Sequence, residues 1–372
     1  MMSDWFARRR APLRFTGALA LSVAALVLNC AASQNAAPSE HSPGSPRQVT
    51  FTHYSALFSN AEILRRLLSP LAEEAVREWL LRRKEALGTY PIDLATERFL
   101  VYVPTGAPPR RGYALLVFVS ASERSYLPFG WTSQLDHDGV IFVSPQRAGN
   151  REPLLSRRVP LAVSAEENLV REYPIDRARI YIGGFSGGSR VALRIAVGYP
   201  DVFRGALLNA GADALGVADP WGGVDPLPPR DLLFRFQSSS RLVYVSGELD
   251  TGSLASDASS SQSMQDWCTF DVETYQTPAA GHEVMSSRAF GRALDRLLRD
   301  RAPPDHARLS ACRSRVAAEV EEKLSEAQTL ISQDRRTAAR KLLLDIDKRY
   351  GGLAAPRVVE LTRSCRCGPT AP

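Results

Sequence analysis

Apolar positions change period along the chain, and the changes divide it. From 56 to 87 they recur at intervals of three and four, at Ile63, Leu67, Leu71, Val76 and Leu80, with a break at Pro70. That spacing predicts two amphipathic helices. Short runs of β-branched and aromatic residues then predict strands over 98–103, 113–119, 140–144, 179–183, 203–209, 241–246 and 270–276. Helix-period segments fall between them, including 161–172, 187–197 and 286–300. Strands that alternate with helices predict an α/β class, a mostly parallel central sheet with helices on both faces. Beyond Pro303-Pro304 the pattern is helical only. Val316, Val320, Leu324, Ala327 and Ile331 form one stripe, Ala339, Leu342, Leu343 and Ile346 a second, and 358–361 begins a third. This predicts a small all-α C-terminal hairpin, whose single apolar face must dock on something to be buried.

Charge changes the picture less than its total suggests. The 372 residues carry a formal +6, but residues 1–29 hold +3 and 305–372 hold +4, so the stretch between is close to neutral. It has no basic face interleaved with aromatics, which argues against nucleic acid as a partner. At the N-terminus Arg8, Arg9, Arg10 and Arg14 precede an apolar run from Ala18 to Leu28. The run is too short to span a bilayer as a helix and reads as a bacterial-type export signal. It ends Leu28-Asn29-Cys30, which resembles a lipoprotein signal with Cys30 as the lipidated residue; cleavage after Ala32 is the other reading. The boundaries expected are an export signal over 1–29, a flexible tether over 30–55, N-terminal helices over 56–94, the main domain over 95–302 and a helical appendage over 303–372. The protein is expected in the cell envelope or secreted, touching membrane only through Cys30. Four further cysteines, Cys268, Cys312, Cys365 and Cys367, then suit disulfides in an oxidising compartment.

The chemistry centres on Ile180-Tyr181-Ile182-Gly183-Gly184-Phe185-Ser186-Gly187-Gly188, followed by a helical stretch. A buried strand that breaks into small residues and resumes as helix puts Ser186 on a sharp turn, with its hydroxyl in the open. The Gly187 amide then lies at a helix N-terminus, where an orphan donor can hold an oxyanion. A serine hydroxyl needs an imidazole to take its proton and a carboxylate to orient that imidazole. Of five histidines, His41 lies in the tether, His53 before the sheet, His137 in a turn and His306 past the last sheet helix. His282, in a short loop after the last strand, remains. For the acid, Asp250 in Gly247-Glu248-Leu249-Asp250 fits best; Asp213, one strand earlier, is the alternative, with Glu248 and Asp257 behind it.

The order of strand, Gly-Phe-Ser-Gly-Gly elbow, Gly-Glu-Leu-Asp and Gly-His-Glu resembles the α/β-hydrolase superfamily over about residues 95 to 302. The elbow is most similar to secreted polyhydroxybutyrate-depolymerase and feruloyl-esterase-type enzymes. The resemblance implies an α/β-hydrolase fold and a serine esterase without metal or organic cofactor, acting on a small-molecule or polymeric ester. A second oxyanion donor is then expected in Ser120-Ala121-Ser122, with Ala121 favoured. Many relatives carry His-Gly there, and this chain departs from them. The long proline-rich connection over 212–240 is expected to form a lid or substrate wall, with Trp221 and Trp131 as candidate cleft residues. The C-terminal hairpin is similar to a tetratricopeptide repeat, which leaves a packed brace or a protein-binding module. A prolyl-oligopeptidase-like peptidase and a non-catalytic scaffold are the rival functions. Cys268 precedes the last strand at the sheet edge opposite the Ser186 site, and the helix after His282 runs back to that edge, which predicts a Cys268–Cys312 bond.

Overall fold

In the computed structural model eight strands form one sheet in the order β1-β2-β4-β3-β5-β6-β7-β8. They are β1 (Arg47–Val49), β2 (Phe99–Tyr102), β3 (Tyr113–Val119), β4 (Val140–Pro145), β5 (Ile175–Phe185), β6 (Gly205–Asn209), β7 (Arg241–Gly247) and β8 (Val272–Thr277). From β4 to β8 all pairs are parallel, and β1 and β2 add antiparallel pairs at one edge. The helices are α1 (Asn60–Leu67), α2 (Pro70–Arg82), α3 (Trp131–Asp138), α4 (Val159–Glu172), α5 (Gly187–Gly198), α6 (Arg230–Ser239), α7 (Thr251–Asp266), α8 (Ser287–Leu298), α9 (His306–Ser332), α10 (Arg336–Tyr350) and α11 (Arg357–Ser364). The structure describes residues 43–84, 86–218 and 224–365. The export signal, Cys30 and Trp221 lie outside them. Among the described residues no helix is long and apolar enough to cross a membrane.

Local chemistry sets the element ends. Ser59 caps α1 by accepting from the Glu62 N–H, and Pro70 opens α2, where its missing donor costs nothing. The central strand β3 is buried at every position, as a strand covered on both faces must be. Edge strand β8 instead alternates between half-buried and exposed positions.

Two apolar layers cover the sheet. The larger contains residues of α1, α2, α4, α5, α6 and the C-terminal helices; the smaller is built on α3 and α8. Trp131 belongs to the second layer. It is fully buried, its ring stacked on Phe290 at 3.8 Å and its indole N–H donating to the Met285 carbonyl. The expectation that Trp131 lines a substrate cleft is therefore corrected: its large apolar ring is spent fixing α3 to α8.

Two further expectations change. The tether over 30–55 does not stay free, because Arg47–Val49 pairs with β2 at the sheet edge. The connection over 212–240 is not a lid throughout. Its second half contains α6, and the carbonyl of Leu227 accepts from the Gly352 N–H beyond α10. A Cβ on Gly351 or Gly352 would lie 2.5 or 2.4 Å from backbone oxygens of Leu227 or Pro228, so only glycine permits this approach. Cys268 and Cys312 are bonded, with Cα atoms 5.7 Å apart.

Candidate active site

Ser186 stands between β5 and α5 with φ 55° and ψ −122°, a conformation that L residues rarely adopt. Its neighbours hold it there. A Cβ on Gly184 would come within 2.2 Å of the Gly188 carbonyl oxygen, and one on Gly188 within 2.0 Å of the Val119 oxygen. The Ser186 N–H donates to the Asn209 carbonyl at the end of β6 (2.8 Å), so the elbow is also tied sideways. The Gly187 N–H begins α5, among the donors a helix leaves without internal partners.

His282 comes from the loop after β8. Its Nε2 lies 2.9 Å from Ser186 Oγ, and its Nδ1 lies 2.7 Å from Asp250 Oδ2. Asp250 follows β7 and caps α7, where its Oδ1 accepts from the Ser253 N–H. Burial on its own would raise the Asp250 pKa, but hydrogen bonds from Ser253 and His282 outweigh it and hold the carboxyl below its ordinary range. The structure thus brings Ser186, His282 and Asp250 into one hydrogen-bonded line. The Phe185 ring lies 5.2 Å from the imidazole and supports it from one side.

The other acid candidates are elsewhere engaged. Asp213 pairs with Arg190 at 3.2 Å. Glu248 accepts from the Ala279 N–H and braces the histidine loop. Asp257 is buried on α7, where it accepts from Ser246 Oγ at 2.6 Å; burial raises its pKa to about 7 against those hydrogen bonds.

The loop after β3 carries Ala121. The Ser122 N–H is already engaged by Ser120 Oγ (3.0 Å), whereas the Ala121 amide has no hydrogen-bond partner among the described residues. The Ala121 carbonyl accepts from the Asn150 N–H at 3.0 Å. Three contributors escape sequence reasoning. Asn209 accepts from the Ser186 N–H through its carbonyl and from the Met285 N–H through its side chain, joining the elbow to the segment behind His282. Ser253 reaches both Asp250 and His282 Nδ1, the latter at 3.3 Å. Arg158 lies beneath the β3 loop. Only Asn209 had a signal, its place at a strand end next to the elbow strand. No group of three or more His, Cys, Asp or Glu side chains among the described residues is arranged to hold a metal ion.

A nucleophile elbow on β5 of a 1-2-4-3-5-6-7-8 sheet, with the aspartate after β7 and the histidine after β8, decides the architecture. The fold is that of an α/β-hydrolase. No protein-family model and no curated protein sequence matches the chain. Among solved structures this chain is similar to LpqC, a poly(3-hydroxybutyrate) depolymerase from Bordetella parapertussis, at 17% identity and TM-score 0.42 over 58% of this chain and 88% of that one. It is also similar to the CE1 ferulic acid esterase AmCE1/Fae1A from Anaeromyces mucronatus, at 14% identity and TM-score 0.41 over 54% and 83%. A thermostable esterase matches at 17% identity and TM-score 0.36 over 50% and 51%. The chain thus spans about half the length of that esterase, and 33% of a longer Bacteroides ovatus chain.

Proposed function

We propose that the protein is a serine hydrolase of carboxylic esters. The observation that carries this reading is the line from Ser186 through His282 to Asp250, with spacings of 2.9 and 2.7 Å. In the first half-reaction His282 Nε2 takes the Ser186 proton as Oγ bonds to the ester carbonyl carbon, and the carbonyl oxygen becomes an oxyanion. The Gly187 N–H and the Ala121 N–H stabilise that charge. Collapse breaks the bond to the alcohol oxygen, which leaves with the proton from His282. Water then repeats the sequence on the acyl-enzyme and frees the acid and Ser186. Asp250 stays ionised throughout, keeping a proton on Nδ1 so that Nε2 presents its lone pair to the serine.

The test is covalent labelling by a fluorophosphonate, which captures a serine only when base and oxyanion donors are in place. Wild-type protein is expected to label at Ser186. Ser186→Ala should abolish labelling and His282→Ala should remove nearly all of it. Turnover of short nitrophenyl esters should fall by roughly 10⁴ to 10⁶ in either variant, because triad members act as a unit. Wild-type protein that neither labels nor cleaves such esters would refute the reading.

A further inference from the structure

Helix α4 does not begin as an α-helix. Residues Leu154–Arg158 form a π turn that runs directly into it. A π turn carries one extra residue, which re-aims the side chains around it, and such turns recur at functional sites. This one sends Arg158 inward, to 6% exposure. Its Nε donates to the Ala148 carbonyl at 2.8 Å and its Nη2 to the Ser120 carbonyl at 3.2 Å, with Asn150 Oδ1 at 3.5 Å. Among the described residues no carboxylate forms an ion pair with it. Burial lowers its pKa to about 10, with Glu123 and Glu152 opposing, so it is a cation at neutral pH. A buried cation satisfied by amide oxygens alone is costly, and the cost has to be offset by what it orders.

What it orders is the oxyanion side of the site. The Ser120 carbonyl and the Ala121 N–H belong to one peptide unit, so a cation hydrogen-bonded at one end polarises and fixes the donor at the other. The same guanidinium ties down the loop after β4. That loop returns the Asn150 N–H to the Ala121 carbonyl and lays the Asn150 carboxamide against Gly187, where a Cβ would sit 2.1 Å from Oδ1. Both expected donors are therefore held from one buried charge.

We propose that Arg158 is a positioning residue for the oxyanion hole: it fixes and polarises the Ser120–Ala121 peptide, so that a loop without His-Gly still presents a competent donor. The proposal rests on the esterase reading above. Its test is steady-state hydrolysis of nitrophenyl acetate by Arg158→Lys and Arg158→Gln, with rates divided by sites titrated with fluorophosphonate to completion, so that slower capture by a weakened hole does not lower the count. Inhibition by a trifluoromethyl ketone, whose adduct with Ser186 carries the oxyanion, is measured beside it.

The expected result is KM within about twofold and kcat per titrated site lower by roughly 10 to 100-fold, less than the 10²–10³ lost when a donor is removed outright. Ketone inhibition should weaken by the same factor as kcat/KM. The acid limb of the pH–rate profile should not move, since Arg158 does not touch His282 or Asp250. A merely structural role would lower the number of titratable sites and leave kcat per site intact. A kcat per site within threefold of wild type in both variants, or unchanged ketone inhibition, overturns the proposal. If neither variant folds, Asn150→Ala, at an exposed residue, is the deciding protein. A kcat per site lower by roughly threefold or more supports the clamp, and an unchanged value overturns it. Wild-type protein that is inert overturns the esterase reading and this one together, whereas active wild type with unimpaired variants overturns this one alone.

Discussion

At the scale of single residues the site separates two aspartates that the sequence leaves in competition. An imidazole accepts the serine proton only while its other nitrogen is held protonated, so the carboxylate on Nδ1 controls the tautomer. Asp250 lies there, and Asp213 lies on Arg190. Asp250→Asn is therefore expected to lower kcat for a nitrophenyl ester by about 10⁴ with little change in KM, because the amide favours the wrong tautomer. Asp213→Asn should stay within several-fold of wild type. Exchanged behaviour in the same assay would show that the acid is misassigned while the nucleophile stands. The three residues in line were legible in the sequence because each occupies a strand-end position that the chemistry constrains: a serine between glycines, a histidine left after elimination, an acid between them in chain order. Asn209, Ser253 and Arg158 were not. Ser253 and Arg158 act through other residues, with residue types that are ordinary at their positions, and Asn209 offers no signal beyond its place at a strand end.

At the scale of elements, α2 illustrates structure that no local reading supplies. Its N-cap position is Ser69, whose side chain makes no capping bond. The cap arrives from α10, 278 residues along the chain: Asp347 Oδ1 accepts from the Leu71 N–H at 3.0 Å and Oδ2 from the Ser69 hydroxyl at 2.5 Å. A carboxylate there also meets the positive end of the helix. Burial raises the Asp347 pKa, while the bonds from Ser69 and Leu71 pull the other way. Asp347→Ala strips the cap and leaves two donors in an apolar contact, so urea unfolding should show a loss of roughly 2 kcal/mol with kcat unchanged. A loss below about 0.5 kcal/mol, the scale of a neutral surface substitution, would mean that water replaces the cap. The elements that the sequence hid lack an apolar period of their own. Helix α7 reads Thr251-Gly252-Ser253-Leu254-Ala255-Ser256-Asp257, continuing serine-rich with no apolar stripe. It forms because Asp250 caps it and because small polar residues, Ser253, Ser260 and Ser263, pack its buried face. Strand β1 has three residues, two of them polar, and exists only as an addition to β2. The buried strands and the helices with regular stripes were legible because their apolar period is their reason for folding.

At the scale of the whole molecule, the question is whether the C-terminal helices are an appendage or part of one cooperative unit. A lone helical hairpin cannot bury its own apolar face, and here Val316, Val320, Leu324 and Leu343 lie in the same continuous core as Leu233, Trp267 and the sheet residues. Trp267 meets Tyr350 edge-on at 6.1 Å, and Arg349 stacks over the Trp267 ring. The Cys268–Cys312 bond adds a covalent link between the turn that joins α7 to β8 and α9, closing a loop of sequence separation 44. Loop-closure entropy for that length corresponds to about 4 kcal/mol as an ideal value, with measured bonds generally giving less. The variant with both cysteines replaced by serine is therefore expected to lose about 2 to 4 kcal/mol of unfolding free energy. It should still unfold in one transition, because the apolar contact and the Asp347 cap persist without the bond. Calorimetry distinguishes the alternatives. A single transition at lower temperature, with calorimetric and van't Hoff enthalpies equal, means that sheet and C-terminal helices fold as one body. Two resolved transitions would mean that the disulfide had been holding together units that are otherwise independent, and the C-terminal helices would then be free to leave the surface of the sheet domain when the bond is reduced.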